Sequence, residues 1–117
     1  MSVTPSQFGL LSRLLDVTAL RHRVIAQNVA NVNTPGYRRM EVAFDDALAQ
    51  QLDPAAAAEP PAPRVVELPG GATREDGNNV DIDAEMGSLN KNSLLYNAYA
   101  QILASKIAAM RSAITGR

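Results

Sequence analysis

The stretch IDAEMGSLNKNSLLYNAYAQILASKIAAMRSAI, Ile82 to Ile114, decides the architecture of this chain. Read in alternating steps of four and three, it holds Ile82, Met86, Leu89, Ser93, Tyr96, Ala100, Leu103, Ile107, Met110 and Ile114 without a slip. Such a rhythm is the seam of a heptad-patterned helix. Asp81, Asp83 and Glu85 lie at its start and Lys106 and Arg111 toward its end, so charge complements the helix dipole at both ends. Leu95, Tyr99 and Ile102 add a second strip beside the seam, which makes the apolar face too broad for a single partner helix.

Working back toward the N-terminus, a second rod emerges. Thr4-Pro5-Ser6-Gln7 has the form of a capping box, with Pro5 suited to the first helical position. From there Leu11, Leu15, Thr18, His22, Ile25, Val29 and Val32 keep the same rhythm, a seam with two polar interruptions. A flanking strip of Leu10, Leu14, Val17 and Val24 again implies more than one neighbour. His22 lies on the seam, where a polar residue sets register at a cost in stability; the plainer expectation for it is a partly exposed helix position. At ~1.5 Å per residue the two rods are about 42 and 50 Å long. Burying a large aliphatic side chain is worth roughly 1.5–3 kcal/mol, so the seams must be covered by each other, by other chains, or by both.

Between the rods the composition changes. Five of the seven prolines fall at Pro54, Pro60, Pro61, Pro63 and Pro69, beside Ala55 to Ala58 and the polar run Glu75-Asp76-Gly77-Asn78-Asn79. Asp53 to Asn79 therefore reads as a loosely held, irregular connector. The expected organisation is an all-α protein: an N-terminal helix over 4–33, a turn and irregular connector over 34–80 with a short helix near 45–52, and a C-terminal helix over 81–115.

The same composition excludes several chemistries. With 117 residues there is room for one domain. Eleven Lys+Arg against 12 Asp+Glu, a net charge of −1, lacks the basic surplus of a nucleic-acid footprint. No cysteine and a single histidine leave neither a thiol nucleophile nor the usual metal-ligand supply, so no metal, cofactor or small-molecule substrate is expected. Asp76 to Asp83 fails the calcium-loop template, because Val80 and Asp81 stand where an oxygen ligand and a glycine are needed. Paired carboxylates such as Asp45–Asp46 have no convergent nucleophile beside them, and no catalysis is expected. No run approaches the roughly 18 apolar residues of a membrane span, and MSVTPSQFG has neither a basic nor an apolar signal region. The expectation is a protein that is not membrane-embedded and carries no cleaved signal peptide.

The most specific stretch follows the first rod: Asn28-Val29-Ala30-Asn31-Val32-Asn33-Thr34-Pro35-Gly36-Tyr37. Asparagine terminates helices, and Pro35-Gly36 fits the centre of a type II turn, so the rod stops and reverses here. Asn28 and Asn31, three apart, offer amides that can bind the turn backbone or a neighbouring subunit, and Tyr37 can pack against the helix end.

Together with Ala26 and Gln27, this stretch resembles the signature of the flagellar rod and hook family, a long N-terminal helix ending in Asn-x-x-Asn-x-x-Thr-x-Gly-Tyr/Phe. The short length, Asp76 to Met86 and Leu94-Leu95-Tyr96-Asn97-Ala98 resemble the proximal rod subunits within it. The resemblance implies Asn28, Ala30, Asn31, Thr34, Pro35, Gly36 and Tyr37 as motif residues. It implies a structural subunit of the bacterial flagellar basal body, located in the periplasm-spanning rod and exported unprocessed by the type III apparatus. Such a subunit would pack its terminal helices into a coiled-coil tube and help transmit torque. Its partners would be other rod subunits, basal-body and export-gate components, and copies of itself. The helix-packing positions expected are Leu11, Leu15, Ile25, Val29, Met86, Leu89, Tyr96, Leu103, Ile107, Met110 and Ile114. Periodicity alone is equally met by a helical-hairpin adaptor that dimerises into a four-helix bundle, which would have no need of the Asn28–Tyr37 motif.

Overall fold

A computed structural model describes residues 5–44, 63–68 and 73–116. Helix α1 runs over Pro5–Ala30 and helix α2 over Ile82–Thr115; between them strands β1 (Met40–Ala43) and β2 (Arg64–Glu67) pair antiparallel, Met40 opposite Glu67 and Ala43 opposite Arg64. The fold is thus helix-dominated, as the heptads predict. The Thr4 cap and the short helix expected near 45–52 lie outside the described residues.

The helices form an antiparallel hairpin, because Asn28 near the end of α1 meets Glu85 at the start of α2, while Gln7 meets Lys106. Both ends of α2 are capped, the first by one of the expected helix-start acids and the second by Gly116, with no basic residue in the last turn. Asp81 accepts from the backbone N–H groups of Asp83 and Ala84, and Gly116 adopts φ 71 while its own N–H donates to the Ser112 carbonyl. With its 34 residues α2 is about 51 Å long, which sets the long axis of a thin body spanning 64 × 32 × 14 Å between Cα atoms.

Two neighbours share α1, as its wide apolar face requires, but one of them is the strand pair rather than a helix. Val17 and Val24 form the main apolar cluster with Val42 and Phe44, flanked by Leu14, Leu20 and Met40. Alternation along β1 turns Met40, Val42 and Phe44 to the same side, toward α1. The strand pair sits within the stretch expected to be irregular, and Arg64–Glu67 corrects the expectation of a loosely held segment from Asp53 onward. His22 lies exposed on α1, the plainer of its two expected placements.

Candidate functional site

The end of α1, the turn after it and the start of α2 converge on one junction, and asparagine side chains hold it together. After Ala30 the chain turns twice. The Thr34 N–H donates to the Asn31 carbonyl at 3.0 Å and the Tyr37 N–H to the Thr34 carbonyl at 3.2 Å. Gly36 has φ 74, so Pro35-Gly36 occupies the centre of a type II turn as the dipeptide predicts.

Asn28 is fully buried and uses both halves of its amide. Its Oδ1 accepts from the Tyr37 hydroxyl and the Met40 N–H, each at 2.9 Å, while its Nδ2 donates to the Met40 carbonyl at 2.8 Å and to Glu85 Oε2 at 3.3 Å. Glu85, also fully buried, accepts from Arg39 Nε at 2.7 Å through its other oxygen. One side chain therefore ties the entry to β1, the turn tyrosine and the first turn of α2. Burial, and secondarily the Glu85 carboxylate, hold the Tyr37 hydroxyl above its ordinary value near 10.0, so the phenol keeps the proton that it donates to Asn28.

The loop before α2 bolts onto the same turn. Asn78, fully buried, donates its amide to the carbonyls of Asn31, Val32 and Thr34 at 2.9–3.1 Å. Arg74 reaches the Val32 carbonyl as well, and the Gly36 N–H donates to the Asp76 carbonyl at 2.8 Å. Carbonyls of the turn that follows α1 are thus bound from more than 40 residues downstream. Asn79 completes the clasp: its Oδ1 accepts from the Arg39 N–H at 2.7 Å and its Nδ2 donates to the Leu68 carbonyl. A Cβ on Gly77, at φ 85, would sit 3.5 Å from the Gly36 Cα, so the two glycine turns lie nearly in backbone contact. The expectation that the chain is loosely held up to Asn79 is corrected here, because Asn78 and Asn79 are buried by the turn that they bind.

Of the expected motif residues, Asn28 and Tyr37 enter this junction by side chain. Asn31 bonds within its own turn, its Nδ2 to the Gln27 carbonyl at 2.8 Å and its Oδ1 to the Thr34 hydroxyl at 3.0 Å. Ala30, Thr34, Pro35 and Gly36 are exposed. Among the expected packing residues, Leu11 and Ile25 are buried and Leu15, Val29, Leu89 and Leu103 half-buried, whereas Met86, Tyr96, Ile107, Met110 and Ile114 are exposed, Ile114 to 80%. The face of α2 that meets α1 is offset from its apolar seam and carries Glu85, Asn92 and Lys106. Sequence reasoning missed Arg39, Arg74, Asn78, Asn79, Glu85 and Asn92. Glu85 is legible only as a helix-start charge, the recurrence of asparagine at 28, 78, 79 and 92 is the signal that could have found the three asparagines, and nothing in the sequence singles out Arg39 or Arg74.

Chemically, the junction is a set of mutually satisfied groups. Glu85 is engaged by Arg39 and Asn28, and the Tyr37 hydroxyl by Asn28. Among the described residues no three metal-ligating side chains gather, and no helix is long and apolar enough to cross a membrane. The arrangement can fix the angle and spacing of two rods.

Comparison with known proteins bears on the same region. A family model described as "Flagella basal body rod protein" matches residues 15–38, from the middle of α1 through the turn. The chain is similar along most of its length to proteins called flagellar basal body rod protein FlgB. It is 32% identical to that of Borrelia hermsii over 89% of this chain and 92% of that one. Identity is 27% to the Bacillus subtilis protein, over 99% and 98%, and 28% to the Escherichia coli protein, over 86% of each.

Proposed function

The chain belongs to the FlgB family of flagellar basal body rod proteins, a structural family rather than an enzymatic one, and we propose that it builds the proximal rod by packing its terminal helices against those of neighbouring subunits. The observation that carries this reading is the outward face of α2. Met86, Tyr96, Ile107, Met110 and Ile114 stand 41–80% exposed along one helix, while the contact with α1 is made largely by other residues. So many large apolar side chains on one rod mark a surface meant for protein contact. The Asn28–Glu85 junction would hold the two rods at a fixed spacing while that face engages other rod subunits. Export without a cleaved signal, contact with export-gate components and transmission of torque along the assembled helices complete the proposed role.

The test is genetic and structural together. Ile107→Asp combined with Ile114→Asp, expressed in a flagellated bacterium lacking its own copy, should abolish swimming and the recovery of hook–basal bodies. Circular dichroism of the purified variant should stay close to that of the parent, since both side chains are largely exposed. Normal flagella on the double variant would defeat the proposal and favour a hairpin that acts elsewhere.

A further inference from the structure

The surface of α2 turned toward α1 repeats every seven residues through Glu85, Asn92, Tyr99 and Lys106, and three of the four make polar contacts with α1. Glu85 meets Asn28, Lys106 Nζ lies 3.3 Å from Gln7 Oε1, and Asn92 Nδ2 donates to the backbone carbonyl of Thr18 at 2.7 Å. Asn92 is the anomaly. It is 4% exposed, and its Oδ1 is buried without a hydrogen-bond partner. An unsatisfied buried acceptor lowers stability, and an aliphatic residue of similar volume would avoid that cost.

We propose that Asn92 is a register-determining residue, which fixes one antiparallel alignment of α1 and α2 at the expense of stability. Heptad helices can slide past each other by one repeat, about 10.5 Å, and meet residues of the same class again. At the observed alignment Thr18 turns its hydroxyl back to the Leu14 and Leu15 carbonyls, both at 2.9 Å, and leaves its own carbonyl within reach of Asn92. One heptad away on α1 stand Leu11 and Ile25, both buried, whose larger side chains would face the Asn92 amide and leave both of its halves unsatisfied. The same slip would carry the buried Glu85 carboxylate away from Asn28 and Arg39.

The chain has no native cysteine, so spin labels at Ala19→Cys and Ala98→Cys, both exposed helix positions, report the alignment directly. Electron–electron distance measurement on the otherwise unchanged chain should give one narrow distance. Asn92→Leu should raise Tm by about 4–8 °C and, with Glu85→Gln also present to weaken the Asn28–Arg39 junction, add a second distance population that Glu85→Gln alone does not show. Asn92→Ala, which removes the amide without adding volume, should broaden the distribution in the same background. A single unchanged distance in both variants overturns the proposal. A lower Tm for Asn92→Leu overturns it too, since the asparagine would then stabilise the hairpin.

Discussion

An amide side chain can satisfy the carbonyl and the N–H of one backbone residue at once, and Asn28 does this for Met40 while also holding Tyr37 and Glu85. No other side chain of that size offers two donors and an acceptor from one planar group. Asn28→Ala would leave the Met40 backbone groups short of partners and Glu85 with Arg39 alone. The expected loss is about 3 kcal/mol, read as a lower urea midpoint with little change in slope. Asn28→Asp should lose at least as much at neutral pH, because a carboxylate would face both Glu85 and the Met40 carbonyl. If Asn28→Ala unfolded at the parent midpoint, the junction would have no energetic weight.

The elements follow from local signals to different degrees. Two long helices are legible because their heptads run for many turns, and the start of α2 is legible in its acidic residues, of which Asp81 is the cap, whereas Gly116 ends the helix through a left-handed conformation that the charge pattern does not show. The strand pair is not: each strand has four residues, too short for a period to register, and β2 follows Pro63 in a proline-rich run. Even so, Met40, Val42 and Phe44 alternate. The packing face of α2 was the less legible half of the site. Leu89 and Leu103 reach the hairpin contact, but Glu85 and Asn92 are buried there only because Asn28, Arg39 and Thr18 on distant elements receive them, and a single sequence does not show such pairings. The same holds for the turn after α1, whose Asn31, Val32 and Thr34 carbonyls are bound by Asn78. Asn78→Ala should therefore loosen that turn from a distance. Amide hydrogen exchange at Asn31 to Tyr37 should quicken at least tenfold while exchange over Gln101 to Ala109 stays unchanged. Equal protection in the variant would show that Asn78 does not hold the turn.

At the scale of the whole molecule, two surfaces of one helix divide the labour. The face of α2 that carries Glu85, Asn92 and Lys106 with Leu89 and Leu103 makes the intramolecular hairpin, and much of the apolar seam stays exposed, with Ile107, Met110 and Ile114 beside Phe8 of α1 around a shallow groove. A thin rod with its apolar seam outward gains more from association than from any rearrangement within the chain, since the hairpin contact is already filled. Membership in a rod-protein family gives that association its setting. The most direct test follows the seam itself. A single Ile107→Cys variant of the cysteine-free chain would be treated with a maleimide, first as purified chain and then within isolated hook–basal bodies. The account predicts rapid labelling of the free chain and strong protection in the assembled rod; equal labelling in both states would contradict it.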